Sequence, residues 1–490
     1  MEKKLKVRFA PSPTGPFHIG GARSALFNWL VARHADGTFL VRIEDTDLKR
    51  STKESEENIK DSLKWLGMNW DEGIDVGGPH GPYRQTERLD LYKKEVQRLL
   101  DEGKAYYCYC SAEELEKSRK AQLDAGKTPI YDEHCRHLTE EEKAKYEAEG
   151  RKPVVRLKVR KDGVFAFDDM VRGHVEFQAA GVGDFIIMKS DGIPVYNFAV
   201  VIDDAFMEVT HVIRAEEHLS NTPRQLAIYE ALGYKPPKFG HISLILGEDH
   251  KKMSKRHGAT SVTEYRNMGY LPEAVVNYLA LLGWTPKGEQ EIFTEEELIK
   301  QFSMKRVSSN DAVFDINKLN WINFQYMKKL DADQLYDLIF PFLVKAGYVD
   351  AMVSEEKKDW LKKVIWFMKD HIYFAGQAAD ELKFFFEDMP KITDEDVLAV
   401  MKAETSGKLL RAFIEDLKAL ETFDQAEIKK CFNACMKAQG IKGKAAYEPT
   451  RIALTGVTQG PGMFEMMELF GREKTMDRLE AALADRKSVV

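Results

Sequence analysis

Arg8-Phe9-Ala10-Pro11-Ser12-Pro13-Thr14-Gly15-Pro16-Phe17-His18-Ile19-Gly20-Gly21 is a proline- and glycine-rich loop between two segments of different period. Before it, Val7–Ala10 reads as a short strand. After it, Ala22, Ala25, Leu26, Trp29 and Leu30 recur at helical spacing. Gly37 closes that helix and Phe39–Ile43 predicts the next strand. Ser51 with Glu54 predicts a capping box ahead of a helix carrying Ile59, Leu63 and Leu66, which Gly67 ends. Strand, helix, strand and helix in succession predict an α/β sheet with parallel strands. A loop from strand to helix lies at the carboxyl edge of such a sheet, where doubly wound folds bind nucleotides. Gly20 and Gly21 let a ligand approach the backbone, and the free N–H groups at the helix start favour phosphate. His18, just ahead of that start, can donate a hydrogen bond to a phosphate oxygen as charge develops.

Outward from this unit the rhythm breaks near residue 105. Residues 105–195 hold the charged stretch 111–150 and alternating segments such as Val155-Arg156-Leu157-Lys158-Val159-Arg160, and read as an inserted α+β domain. Val209–Ile213 predicts a return to parallel strands. Thr222-Pro223-Arg224-Gln225 predicts a capping box with proline in the first turn, and His241–Leu246 another strand. After about residue 330 the periodicity is helical almost throughout. The expected fold is multidomain: a Rossmann-type doubly wound parallel sheet (1–104 and 196–256) with the insertion (105–195), a linker domain (257–330), and two helical subdomains (331–390 and 391–490).

With 490 residues, 44% hydrophobic and 31% charged, the chain is long enough for several globular cores. No stretch approaches the apolar length of a membrane span, and Met1-Glu2-Lys3-Lys4 runs into strand-like sequence without an export segment. Five cysteines in so long a chain predict no disulfide framework and a reducing, cytoplasmic setting. The net charge of −7 argues against indiscriminate nucleic-acid binding. Residues 331–490 carry 23 Lys and Arg against 28 Asp and Glu. Any RNA contact therefore needs a local patch, and 428–447 is the clearest one, with Lys429, Lys430, Lys437, Lys442 and Lys444 and no acid. A solvated helix face is the plainer reading of that run.

Lys252-Met253-Ser254-Lys255-Arg256 puts three cations on a short loop, suited to a pyrophosphate leaving group whose charge grows in the transition state. Together with the first segment, this pentapeptide resembles the paired signatures of class I aminoacyl-tRNA synthetases. The resemblance implies that Pro11, Gly15, His18, Gly20 and Gly21 hold ATP, supplied with Mg2+. Ser254 and Lys255 close over the triphosphate, and His18, Lys252 and Lys255 assist adenylate formation. Arg42-Ile43-Glu44-Asp45-Thr46-Asp47, Gln85-Thr86-Glu87-Arg88 and the late Ala453-Leu454-Thr455-Gly456 extend the likeness over the whole chain, most closely to bacterial glutamyl-tRNA synthetases. That likeness implies that Arg8 pairs with the side-chain carboxylate of L-glutamate and Glu44 with its ammonium, while Ser12, Tyr196 and Arg214 line the same pocket. A guanidinium fork there would reject uncharged glutamine. Where some relatives carry asparagine this chain has Val200, implying fewer polar contacts.

Cys108-Tyr109-Cys110 and Cys135-Arg136-His137 offer four ligands in two close pairs, suiting one structural tetrahedral zinc. His134 is a competing ligand, and reduced cysteines in a small core are the alternative. Cys431 and Cys435, four apart on a helix, read as packed side chains. The family resemblance implies a monomer acting on tRNA(Glu), with the helical tail reading the anticodon and tRNA needed to activate glutamate. Phe432 and Tyr447, among the lysines of 428–447, are stacking candidates. In Phe367-Met368-Lys369-Asp370-His371, His371 stands where relatives that exclude tRNA(Gln) place an arginine, so charging of tRNA(Gln) stays open. A glutaminyl enzyme would end in a β-barrel, and a shortened paralogue would lack residues 331–490. A metabolite nucleotidyltransferase would need no helical tail, and an RNA-binding module leaves Lys252–Arg256 unexplained.

Overall fold

The computed structural model describes residues 4–388 and 394–488, the side chains of Lys255 and residues 485–488 excepted. The chain divides into two compact units, Met1–Asn267 with Leu271–Ile322, and Met268–Tyr270 with Asn323–Val490.

In the first unit, β1 (Lys6–Phe9), β2 (Thr38–Val41) and β3 (Glu72–Gly73) precede the insertion. The insertion carries β4 (Ala105–Cys108), β5 (Val154–Leu157), β6 (Val164–Asp169), β7 (Gly173–Gln178) and β8 (Phe185–Met188), and β9 (His211–Ala215) and β10 (Lys238–Ile242) follow it. The main sheet runs β10-β9-β1-β2-β3 with every pairing parallel. Val7, Phe39, Leu40 and Val41 are fully buried, as strands covered on both faces require. The chain leaves β1 in one direction and returns to its other side as β9, so the order reverses between these two strands. Doubly wound folds bind ligands at that crevice. The Ile19–His34 helix is buried almost all round, and its Asn28 amide donates to the Ile213 carbonyl of β9 at 2.9 Å.

The insertion is built from an antiparallel sheet β4-β5-β8 and a β6–β7 hairpin. Its Ala112–Asp124 and Glu140–Ala148 helices bury no residue but begin with full capping boxes, Ser111 with Glu114 and Thr139 with Glu142. The insertion belongs to the same compact unit as the main sheet. Its hairpin leans on β10, where Met170 N–H donates to the Phe239 carbonyl at 2.9 Å.

Three local expectations are corrected. The cap of the Lys53–Trp65 helix is Thr52 rather than Ser51. Thr52 N–H donates to the Pro13 carbonyl at 3.0 Å, which holds Thr52 extended so that its hydroxyl accepts from Ser55 N–H. Thr222 does not cap the helix it opens. The preceding Glu216–Asn221 turn is already helical, and the Thr222 hydroxyl serves the His218 carbonyl and the Arg214 guanidinium instead. The strand expected over His241–Leu246 is broken, because β10 ends at Ile242 and β11 (Ile245–Leu246) pairs with a different strand, β12 (Ala312–Val313).

The second unit is helical, and no strand follows Val313 among the described residues. Leu335, Ile339, Leu343, Leu361, Val364 and Ile365 of two neighbouring helices are buried, as are Leu409, Leu410, Phe413 and Leu417 further on. Gly440 ends the Gln425–Gln439 helix in the left-handed region at φ 67°, where a side chain would be strained. No helix among the described residues is long and apolar enough to cross a membrane.

Candidate functional site

A cavity of about 540 Å³ opens at the β1–β9 reversal. Of the residues singled out in sequence, Arg8, Pro11, Ser12, Gly15, His18, Gly20, Gly21, Glu44, Tyr196, Arg214 and Lys252 line it. Ser254 is exposed and does not line it, and the Lys255 side chain lies outside the described residues. Val200 is buried in its helix and likewise does not line the cavity.

The first loop brings the phosphate-facing groups. His18 is the N-cap of the Ile19–His34 helix, yet its side chain makes no capping bond and is exposed. Ile19 N–H is taken by the Thr260 carbonyl at 2.9 Å, and no acid stands in the first turn to occupy the N–H groups of Gly20 and Gly21. The two glycines have different reasons. A Cβ on Gly21 would stand 2.9 Å from the Phe17 ring, whereas one on Gly20 would meet no protein atom within 4 Å and would point into open space. Gly20 thus keeps the cavity wall bare for a ligand. The opposite rim carries Lys252, whose ammonium pairs with Glu217. Asp249 accepts from Arg256 at 2.9 Å and faces the His257 ring at 3.0 Å.

The floor is a network of buried charges. Arg42, fully buried, reaches Glu44 at 2.9 Å, Asp204 at 2.9 Å and Asp203 at 3.5 Å. Asp203 also accepts from Arg88 at 2.7 Å and from the Tyr92 hydroxyl at 2.9 Å. Burial alone would lower the Arg42 pKa, but the three carboxylates hold it well above its ordinary value. Asp204 is desolvated too, and Arg8 and Arg42 nevertheless hold it below the usual carboxylate range. Burial pushes the Glu44 carboxyl up against the pull of Arg42. Arg8, 4% exposed, donates through Nε to Asp204 at 3.2 Å, and its terminal nitrogens make no hydrogen bond among the described residues. A buried guanidinium with its fork free is a receptor for a carboxylate.

Beside it the Tyr196 hydroxyl lies 3.2 Å from His218 Nδ1. Burial pushes the His218 pKa down to about 4, so its ring is neutral near pH 7. Arg214 Nε donates to His241 Nε2 at 3.1 Å and Nη2 donates to Thr222 Oγ1 at 3.0 Å. The sequence reading missed Arg42, Asp203, Asp204, His218 and His241. A signal existed for the first three: adjacent acids in the mostly apolar Tyr196–Phe206 helix require buried cations.

In the insertion, the thiols of Cys108, Cys110 and Cys135 lie within 4.8 Å of one another, with Cys110 and Cys135 sulfurs 3.5 Å apart. Four tetrahedral ligands at a zinc–sulfur distance of about 2.3 Å would set sulfurs about 3.8 Å apart, so the cluster fits that ion. His137 does not join them. It is exposed, two residues past the buried Cys135 in the same turn, and the Tyr131 hydroxyl stands 3.4 Å from both Cys108 and Cys110 sulfurs instead. His134 contacts the Tyr146 hydroxyl at 3.2 Å. Hydrogen bonds from Cys110 and Cys135 hold the Cys108 thiol well below its usual pKa.

In the helical unit, His371 is exposed at the end of a short 3-10 turn, with half-exposed Trp366 and Tyr373 close in sequence and Lys369 Nζ 3.2 Å over the Trp366 ring. Lys429, Lys437 and Lys442 are exposed, while Lys430 pairs with Glu427 and Lys444 with Glu448. Phe432 is no stacking surface. It is fully buried, edge-on to Phe413 at 4.9 Å and to Tyr447 at 5.1 Å. Cys435 is buried and Cys431 half-buried, as packed side chains.

Residues 4–321 match the catalytic domain of tRNA synthetases class I (E and Q), and residues 334–483 match an anticodon binding domain. A glutamate–tRNA ligase of Desulforamulus reducens is 54% identical over 479 residues, covering 98% of this chain and 99% of that protein. The glutamate–tRNA ligase of Heliobacterium modesticaldum is 52% identical over 480 residues, covering 98% and 97%. Among solved structures, a glutamate tRNA ligase from Elizabethkingia meningosepticum, in complex with its amino acid, is similar with a TM-score of 0.87 at 34% identity, covering 98% of this chain and 99% of that one. The glutamate–tRNA synthetase of Elizabethkingia anophelis has the same TM-score at 35% identity, covering 98% and 100%.

Proposed function

The chain belongs to the class I tRNA synthetases for glutamate and glutamine, its activity is glutamate–tRNA ligation, and we propose that the cavity between β1 and β9 carries out both steps. In the first, an α-carboxylate oxygen of glutamate attacks the α-phosphorus of MgATP and the bond to the bridging oxygen of pyrophosphate breaks. Glutamyl-adenylate and pyrophosphate result. In the second, a hydroxyl of the terminal ribose of tRNA attacks the acyl carbon and AMP leaves. Pro11, Gly15, Gly20 and Gly21 form the ATP wall, and His18 with the helix N–H groups takes phosphate charge. Lys252 leaves Glu217 for the triphosphate, joined by Ser254 and Lys255. Arg8 takes the side-chain carboxylate of glutamate, Glu44 its ammonium, and Ser12, Tyr196 and Arg214 complete the pocket.

The observation that carries this reading is the buried Arg8 fork, pre-aimed by Asp204 beside a helix N-terminus that no acid occupies. ATP–pyrophosphate exchange tests it. Exchange that requires both glutamate and tRNA supports the assignment, and exchange with another amino acid or none at all rejects it. Residues 105–195 are assigned to the tRNA acceptor end, 257–330 to a linker, and 331–390 with 391–490 to the anticodon. A monomer in the reducing cytoplasm suits a translation enzyme whose five cysteines form no disulfide.

The thiol cluster supports one structural zinc per chain, held by Cys108, Cys110 and Cys135. When bound, the ion cross-links the two ends of the 108–135 loop without an open position. The fourth place goes to the Tyr131 hydroxyl rather than His137, since Tyr131 already contacts two of the sulfurs. Elemental analysis of protein purified without chelator is expected to give one zinc per chain, retained in His137→Ala and lost in Tyr131→Phe. Zinc lost from His137→Ala and kept in Tyr131→Phe would reverse the assignment.

For tRNA choice, an imidazole at position 371 offers fewer donors than a guanidinium fork, so it separates C from U at the third anticodon base less sharply. The enzyme is expected to glutamylate tRNA(Gln) as well as tRNA(Glu), leaving the misacylated product to an amidotransferase. Lys429, Lys430, Lys437, Lys442 and Lys444 supply phosphate contacts. Charging of the two purified tRNAs decides the matter. A preference for tRNA(Glu) by several orders of magnitude would show that discrimination resides elsewhere.

A further inference from the structure

Arg214 contacts no carboxylate among the described residues. Its Nε and Nη2 are given to neutral acceptors, His241 and Thr222, and its Nη1 is buried with no partner. The residue is 6% exposed and lines the cavity, and this N–H pair is its one unspent donor. What fixes this arrangement lies behind it. His241 is the cross-strand partner of Arg214 in the β9–β10 register and is fully buried. For Nε2 to accept from Arg214, the His241 proton must sit on Nδ1, which lies 2.6 Å from Asp169 Oδ2. Asp169 is fully buried at the end of β6, and its other oxygen accepts from the backbone N–H groups of Val171, Arg172 and His241 at 2.9, 3.0 and 3.2 Å. The carboxylate therefore cannot turn, and only an acceptor faces Nδ1.

We propose that Asp169 and His241 are positioning residues for the amino-acid substrate: Asp169 sets the tautomer of His241, and His241 thereby holds Arg214 with its Nη1 free for a glutamate carboxylate. This rests on the reading of Arg214 as a glutamate-binding residue. It also makes the inserted segment part of the amino-acid pocket, since Asp169 belongs to the β6–β7 hairpin.

The test is Asp169→Asn. The three backbone N–H groups keep the amide oxygen where Oδ1 was, so the amide NH2 must face His241 Nδ1 and donate to it. The ring proton then moves to Nε2, where it can turn to Thr222 Oγ1 at 3.2 Å, donor opposes donor at Arg214 Nε, and the guanidinium loses one of its two holds and shares the other. Exchanging carboxylate for amide behind a functional histidine has this effect in serine proteases. The KM for glutamate is expected to rise about tenfold or more, with the KM for ATP within about twofold of wild type. The double variant Asp169→Asn/His241→Gln is expected to recover most of the loss, because the glutamine amide can present oxygen to Arg214 Nε whatever residue 169 offers. Unchanged KM for glutamate in folded Asp169→Asn, or an equal rise for glutamate and ATP, overturns the proposal. If Asp169→Asn does not fold, His241→Asn against His241→Gln decides. Asparagine can reach Asp169 but not Arg214, so its KM for glutamate is expected to exceed that of the glutamine variant by about tenfold, and equal values overturn the proposal. Arg214→Ala separates the premise from the inference. An unchanged KM there removes the pocket reading, whereas a raised KM with an inert Asp169→Asn removes only the inference.

Discussion

His18→Ala is expected to slow glutamyl-adenylate formation by about two orders of magnitude or more while the thermal midpoint stays within a degree or two of wild type. The two halves of that expectation come from separate features. The imidazole is exposed at the N-cap, makes no capping bond and lines the cavity, so removing it takes nothing from the helix. The helix starts because Ala22 N–H donates to the His18 carbonyl at 3.0 Å, a bond alanine keeps. What is lost is a preorganised donor at the point where charge gathers on the phosphate oxygens, worth roughly 3–4 kcal/mol of transition-state stabilisation. Lys255→Ala and Lys252→Ala share the expectation for rate. For Lys252 the ion pair with Glu217 must first open, so Glu217→Ala should leave the chemical step intact. Single-turnover adenylation by His18→Ala within a few-fold of wild type would remove this histidine from the chemistry.

The parallel sheet, the phosphate loop and the helical tail were legible because each is written in local period and turn chemistry. The boundary errors share one cause: tertiary partners redirect groups that local rules assign. Thr222 satisfies the local capping rule but spends its hydroxyl on Arg214. Ser51 loses the cap to Thr52 because a carbonyl of the first loop, at Pro13, accepts from Thr52 N–H and fixes the extended residue one position later. His137 matches a ligand spacing, but spacing says nothing of which side of a turn is buried, and the buried side belongs to Cys135 and Tyr131. The Asp169–His241 contact joins residues 72 positions apart with no motif around either, so only the fold could show it. Asp203 and Asp204 were available to a stricter reading, since two carboxylates in an apolar helix are costly unless cations meet them.

Arg8 is the residue on which amino-acid choice is expected to turn. Its Nε is committed to Asp204 at 3.2 Å, which leaves the outer fork for the substrate and fixes the plane in which a second carboxylate can approach. Glutamate places a carboxylate there, and glutamine would leave the guanidinium facing an uncharged amide inside a buried site. Arg8→Met keeps much of the side-chain volume and removes the charge. Asp204 still has Arg42 at 2.9 Å, so the fold keeps one partner for its buried acid and is expected to lose only about 1–3 kcal/mol. The substrate has no such reserve. A bound glutamate would bury its carboxylate without a counter-charge, a loss of roughly 2–5 kcal/mol, so kcat/KM should fall by about thirtyfold to several thousandfold. Glutamine makes no ion pair to lose, so the preference for glutamate over glutamine should narrow by a similar factor. Arg8→Lys should recover part of the affinity but little of the discrimination, because one ammonium cannot serve Asp204 and grip a carboxylate through two parallel bonds. If folded Arg8→Met binds glutamate within about threefold of wild type, the side-chain carboxylate is read at another cation. Of the two other buried arginines on this wall, Arg23 spends both terminal nitrogens on the Leu282 and Ser243 carbonyls, whereas Arg214 keeps Nη1 without a partner.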